Sequence, residues 1–363
     1  MANMNIRTPR FYTDQISYLL SRGVAQDGNF DVTATHAGNT FMGTFTTGSE
    51  PELFDMRPLN KCTFDTSADT DAHVLITIDT QSATSKKSYI AFLNHNLVSS
   101  VGKIRIFAGD EATDITAIDG ANADTADITW ANDTLTEVVN ADTTTAASNG
   151  KSVVIEPATD GSTIVSFAEQ TNRYWGIQFE GNTTNTGVAT NGTWGSTDMF
   201  VGCIMIGEYY DMPHSPDLDI TRMISYNRMN DLQESNGGQR FSNLKTYGRT
   251  AESTSKSPFT TASTGYDSHG GRIIYDMKFS FINNTDIMPD EYDIIAVDDN
   301  FVNDVWNMTN GNHLPFIFSI DKSSEGDNAE SEHIFGRFAN NSLDMQQVAP
   351  EIYNLSLTVE EEF

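Results

Sequence analysis

The chain has 363 residues, 38% of them hydrophobic, and 50 acidic against 21 basic side chains give it a formal charge of −29. That length predicts two ordinary domains, and Thr, Asn, Asp, Ser and Gly in place of apolar residues predict a loop-rich β protein. The negative charge, spread along the whole chain, argues against nucleic acid and anionic membrane as partners, since both need exposed Lys and Arg. No run approaches about 18 apolar residues, so no membrane-spanning helix is expected. The opening MANMNIRTPRFYTD has no apolar signal-peptide core. Two cysteines, Cys62 and Cys203, make no disulfide framework and are expected as buried free thiols on adjacent strands.

In chain order, residues 11–22 predict a helix. Thr13 or Asp14 can cap it, Ile16, Leu19 and Leu20 form an i, i+3, i+4 stripe, and Gly23 stops it. Residues 1–57 read as this helix and an arm with one or two short strands. From about residue 58 the chain turns strand-rich. His73–Asp79, Tyr89–Leu97 and Lys103–Ala108 alternate or run apolar between Ser/Thr/Asp/Gly turns, as in a sandwich or barrel. Residues 109–150 are polar and read as long loops around Trp130. Val153–Ile155 and Thr163–Phe167 lead to the stretch that organises the chain. In Tyr174–Glu180, Trp175, Ile177 and Phe179 alternate with smaller or polar residues, the pattern of a strand with one buried face. In Phe200–Tyr209, Val201, Cys203, Ile204, Met205 and Ile206 run together between glycines, the pattern of a strand buried on both faces.

Pro213 and Pro216, in DMPHSPDLD, mark a linker after 58–212, and 213–363 reads as a second β module with one helix. Its strands are expected at Thr221–Met229, Ser235–Arg240, Lys245–Thr250, Leu314–Asp321, Glu332–Phe338 and Tyr353–Glu361. The clearest is Arg272–Asn283, where Ile273, Tyr275, Met277, Phe279 and Phe281 are expected on one face. Asp299–Gly311 predicts the second helix, with Asp299 or Asn300 as cap and Val302, Val305 and Trp306 as the apolar stripe. The expected class is therefore mostly β, with two short helices.

Chemistry-bearing motifs are scarce. Asn149–Ser152 ends like a phosphate-binding loop but lacks its first glycine, and no nucleophile elbow or zinc-type cysteine spacing occurs. His95, at a strand end, reads as a turn hydrogen-bonder. Asp65, Asp69 and Asp71, and Asp298, Asp299, Asn303 and Asp304, are the candidate ligands for a structural Ca2+; no other cofactor is expected. Trp130 and Trp194 sit in polar loops and are the candidate glycan-contact residues, against the plainer reading that each loop buries its own ring. No catalytic residue is assigned.

RYWGIQFEG (173–181), FVGCIMIGEYYDMPHSPDL (200–218) and SNGGQRF (235–241), with RTPRFYTD (7–14), FLNHNL (92–97) and LPFIFSID (314–321), resemble a group of tailed-bacteriophage virion structural proteins. The resemblance implies a discoidin-like or galactose-binding-like jelly roll for 58–212. It also implies a module similar to tail-tube or distal-tail proteins for 213–363. No catalytic residue comes with it. The expected function is a non-enzymatic tail, baseplate or tail-adaptor component, assembled in the host cytoplasm and acting in an oligomer with copies of itself and neighbouring virion proteins. A carbohydrate-binding adhesin that meets host surface glycans, a capsid decoration or head-fibre protein, and a glycan hydrolase are the alternatives.

Overall fold

The structure is a computed structural model that describes residues 7–23, 30–33, 35–36, 39–68, 73–81, 85–112, 135–146, 153–181, 193–225, 230–244, 258–259, 272–289, 299–325 and 329–362. The fold is mostly β, 50% strand and 11% helical, in several antiparallel sheets.

Three sheets carry the architecture. A six-stranded sheet runs in the order Ala141–Ala146, Val153–Pro157, Gly102–Gly109, Tyr174–Gly181, Val74–Asp79 and Phe30–Thr33. A four-stranded sheet has the order Thr136–Val139, Gly161–Gln170, Lys87–His95 and Cys203–Gly207. The two face each other as a sandwich. Ile104, Ile106, Trp175, Ile177 and Phe179 from the first meet Ile90, Phe92, Val165, Phe167, Ile204 and Ile206 from the second in one buried cluster. Phe92 and Phe179 touch edge to face at 5.8 Å across the interface.

The third, eight-stranded sheet has the order Tyr209–Asp211, Arg10–Tyr12, Phe316–Ser319, His333–Phe338, Ile352–Glu361, Arg272–Asn283 and Thr221–Ser225, with Met345–Ala349 also paired to Ile352–Glu361. One face lies on the four-stranded sheet. Tyr12, Ile317 and Phe335 share a buried cluster with Tyr89, Ala91, Leu93, Ile164, Cys203 and Met205. The other face holds Phe11, Tyr275, Phe316, Phe318 and Phe338 against Phe301, Val302 and Val305. The middle sheet is therefore covered on both sides, which is why Cys203–Gly207 is apolar without alternation: Cys203 and Met205 face one layer, Ile204 and Ile206 the other.

Two strands tie the ends of the chain together. Arg10–Tyr12 pairs with Tyr209–Asp211 on one side and with Phe316–Ser319 on the other. Both Arg10–Tyr12 and Tyr209–Asp211 precede the linker at Pro213, yet they are strands of the large sheet.

Glycine lets the Cys203–Gly207 strand, last in the middle sheet, pack closely against other segments. A Cβ at Gly202 would stand 1.9 Å from the Pro58 carbonyl oxygen, and one at Gly207 would stand 2.1 Å from that of Thr13. The first expected helix forms over Gln15–Ser21 with Asp14 as its cap, and Gly23 follows at φ +81°. The second forms a wide coil over Val302–Asn307. Asn300 Oδ1 accepts from Asn303 N at 2.9 Å, and Asp304 Oδ2 accepts from Asn300 N at 2.8 Å, a reciprocal capping arrangement. A single further turn spans Asn284–Ile287.

Four expectations need correction. Residues 109–150, read as long loops, supply the strands Thr136–Val139 and Ala141–Ala146. Tyr174–Gly181, expected with one buried face, is buried on both, with Gln178 and Glu180 as enclosed as Trp175, Ile177 and Phe179. Phe281 does not share the buried face of Ile273, Tyr275, Met277 and Phe279; it is 72% exposed while Ile282 is buried. A bulge between Phe279 and Ile282, with Phe281 at φ +64°, reverses the alternation. Ser235–Arg240 is not a strand of its own but spans the turn joining Asn230–Glu234 to Arg240–Leu244. Lys245–Thr250 lies outside the described residues.

Candidate functional site

Trp194 is 3% exposed and packs over Gly102, where a Cβ would come within 2.5 Å of the indole. Its ring is enclosed by protein rather than offered to a sugar. Trp130, Asp69, Asp71, Asp298 and Asn149–Ser152 lie outside the described residues. Among the described residues no group of three or more His, Cys, Asp or Glu side chains is placed to hold a metal ion. His95 is buried, with Nε2 2.8 Å from Thr163 Oγ1, and burial pushes it down to about 4. It is neutral at physiological pH and acts as a structural hydrogen-bonder. Cys62 and Cys203 are free and buried. Cys62 stands opposite Val201 in a paired strand, two residues before Cys203. Burial pushes the Cys62 thiol up to about 12 and Cys203 well above its ordinary value, so neither is a ready nucleophile.

The carboxylates that do converge lie where the large sheet and its helix meet the sandwich. Lys86 reaches Asp299 at 2.5 Å and Glu169 at 3.4 Å. Beside them, burial and then the nearby Asp304 push Glu208 up to about 8, and burial pushes Asp304 up to about 7 against its bond from Asn300 N. Thr13 bridges the same place, its hydroxyl donating to the carbonyls of Glu208 (3.2 Å) and Asp304 (3.1 Å). These groups hold the joint between layers.

A second polar cluster was missed in the sequence. On the face of the six-stranded sheet away from the sandwich core, fully buried Arg105 grips Glu180 through Nε (3.1 Å) and Nη2 (2.9 Å). Gln178 Nε2 adds a bond to Glu180 at 3.3 Å, and Lys103 lies 3.9 Å from it. The signal was present in K-I-R-I and I-Q-F-E: cations and a carboxylate on the same alternating face of neighbouring strands. A cleft of about 600 Å³ separates the Met56–Asn60 turn from Phe335, Arg337 and Glu362, and Arg337 lies 3.6 Å from Glu362 within it.

The remaining feature is a surface. Thr221–Ser225 ends the large sheet, and Thr221, Arg222, Met223 and Ile224 are all exposed. The hairpin of Asn230–Glu234 and Arg240–Leu244 follows, a two-stranded sheet of its own. Glu234 and Arg240 pair at 3.2 Å at its turn end, where Gly238 takes φ +79°. Compared with protein-family models, curated proteins and solved structures, the chain finds no match in any of the three.

Proposed function

We propose that this chain is a non-enzymatic structural component of a tailed-phage virion, a tail, baseplate or tail-adaptor protein that works in an oligomeric assembly. The observation that carries the reading is the succession of RYWGIQFEG, FVGCIMIGEYYDMPHSPDL and SNGGQRF. Two of these segments supply the Tyr174–Gly181 strand inside the six-stranded sheet and the Cys203–Gly207 strand at the end of the middle sheet, and the third is the turn of the Asn230–Leu244 hairpin. Further support comes from the use of polar groups. Asp14, Glu208, Asp304 and the Arg105–Glu180 pair join one layer or element to another, as suits a load-carrying part rather than a catalyst. The reading places the protein in the assembled particle, beside copies of itself and other virion proteins. Quantitative mass spectrometry of purified particles encoding this chain tests it. The expected result is a small, constant copy number per particle; absence from washed particles, with the protein left in the lysate, would overturn it.

A further inference from the structure

Asparagine followed by glycine is the pairing in which a polypeptide most readily attacks itself. The glycine amide nitrogen can close on the asparagine carboxamide, because glycine brings no side chain to obstruct the small ring that forms. The chain contains four such pairs, beginning at Asn149, Asn191, Asn236 and Asn310. The described residues include Asn236–Gly237 and Asn310–Gly311, and the fold treats these two differently.

Asn310–Gly311, just after the Val302–Asn307 coil, is tied down. Asn310 Nδ2 donates to Ser21 Oγ at 2.6 Å. Gly311 N, the atom that would attack, donates to Trp306 O at 2.8 Å. A Cβ on Gly311 would stand 3.3 Å from the Trp306 ring, so the backbone has little room to turn. Both reacting groups are held until this segment opens.

Asn236–Gly237 lies in the turn between Asn230–Glu234 and Arg240–Leu244. The bonds that close this turn pass around the pair. Gly238 N donates to Ser235 O at 2.8 Å, Ser235 N to Gln239 O at 2.8 Å, and Gln239 N to Ser235 Oγ at 3.1 Å. Among the described residues nothing accepts a hydrogen bond from Gly237 N, and the Asn236 carboxamide has no bonding partner. Both residues are exposed, and the nearest atom to a Cβ on Gly237 would be 3.9 Å away. Nucleophile and electrophile are therefore adjacent, solvated and free to meet.

We propose that Asn236 is a site of spontaneous covalent modification, in which the Gly237 amide nitrogen displaces the Asn236 side-chain nitrogen, and that Asn310 is protected from it. In the first step Gly237 N bonds to Asn236 Cγ and the Cγ–Nδ2 bond breaks. The Gly237 proton passes to the departing nitrogen, which leaves as ammonia. Water then opens the cyclic imide at either carbonyl. Hydrolysis at Cγ gives aspartate; hydrolysis at the Asn236 main-chain carbonyl gives isoaspartate, with the chain running through the side chain. No oxidant, reductant or second protein is needed. Either product places a new negative charge beside the Glu234–Arg240 pair. Isoaspartate also lengthens the backbone inside the turn, so the bonds from Gly238 N and Ser235 N no longer meet their acceptors. The inference stands apart from the assembly reading.

The test incubates the full-length protein in buffer, folded and in denaturant, and follows each asparagine by peptide mass. Isoaspartate is counted through its methylation by an isoaspartyl carboxyl methyltransferase. In the folded protein Asn236 is expected to convert at least about tenfold faster than Asn310, the factor that about 1.4 kcal/mol of local opening supplies. In denaturant the two should convert at similar rates, since neither is then held. Gly237→Ala, whose methyl has room in the fold but stands beside the attacking nitrogen, should slow Asn236 and leave Asn310 unchanged. Near-ultraviolet circular dichroism verifies that this variant is folded. Equal conversion of Asn236 and Asn310 in the folded wild type would overturn the proposal. So would an Asn236 that stays intact in the folded protein over a period in which the denatured chain converts.

Discussion

Asp14 Oδ1 accepts a hydrogen bond from the Ile206 amide at 2.9 Å, while Oδ2 caps the first helix by accepting from Ser17 N at 2.6 Å. One buried carboxylate thus holds the helix to the strand that lies between two layers. Asp14→Ala removes a cap and leaves the Ile206 amide unpaired in the interior. The expected cost is about 2–4 kcal/mol, from the cap and the orphaned donor together. Asp14→Asn, which keeps one acceptor oxygen, should cost less. Urea unfolding of the three proteins gives the order, and an alanine variant as stable as wild type would refute the role.

Gly202 and Gly207 should tolerate no side chain. Alanine at either would press a methyl onto a backbone carbonyl belonging to another segment. The expected destabilisation is about 3 kcal/mol or more, because backbone rather than a flexible side chain must move. Gly237, whose nearest neighbour to a new Cβ is 3.9 Å away, is the control and should accept alanine with little change. Thermal unfolding of the three alanine variants separates them.

Glu208 has a folded pKa of about 8 against an ordinary 4.5, and Asp304 about 7 against 3.8. Both are raised, so the folded chain holds these protons more tightly than the unfolded one. Their contribution is fully present below the unfolded values and is lost as pH rises through 7–8. Glu208→Gln carries no such proton. Its melting temperature relative to wild type is therefore expected to rise between pH 4.5 and 8 and then level off. Lys87, lowered to about 7 by burial, acts in the opposite sense: its contribution grows as pH rises from 7 towards 10.5. Taking the difference between wild type and E208Q at each pH isolates the carboxylate, and a difference that is flat with pH would refute it.

Both thiols should be silent in the native protein. Cys203 Sγ lies 4.0 Å from Met56 Sδ, and Cys62 Sγ donates to Ser49 O at 3.4 Å. Iodoacetamide is expected to label neither cysteine until denaturant is added, as read by peptide mass. Cys203→Ser should cost about 1–3 kcal/mol by placing a hydroxyl in an apolar site. Rapid native labelling of either residue would contradict this burial.

Much of the fold was legible in the sequence because it is written locally. Val74–Asp79, Gly102–Gly109, Tyr174–Gly181 and Ile352–Glu361 form as strands where their patterning put them, and Asp14 and Gly23 mark the ends of a real helix. Of these strands only Ile352–Glu361 keeps a clear buried/exposed alternation, while Gly102–Gly109 and Tyr174–Gly181 are covered on both faces. What failed was either irregular or long-range. Nothing in Phe279–Ser280–Phe281–Ile282 announces a bulge, since both phases place an aromatic or aliphatic residue inward. Arg10–Tyr12 is three residues long, too short for a periodic signal, and its partners lie about 200 and 300 positions away. The burial of Trp194 agrees with the plainer reading of its loop, but its partner Gly102, across the fold, was not legible. The open edge was equally hidden: TRMIS reads as any strand until its place at the end of a sheet is known.

The pairing of Arg10–Tyr12 with Phe316–Ser319 sets a timetable for the protein as it is made. The third residue of that strand leaves the ribosome some 300 residues before its last partner. At about 5–20 residues per second, this is a wait on the order of 15–60 s. The sandwich layers can close during that interval, since their strands end at Gly207. The outer face of the middle sheet, with Tyr89, Leu93 and Met205, cannot be covered until the C-terminal strands arrive. A nascent chain stalled near the linker therefore exposes a sticky apolar face and depends on chaperones, and only a finished chain can conceal it. Premature stops in the last third of the gene should accordingly yield aggregates rather than shortened soluble protein.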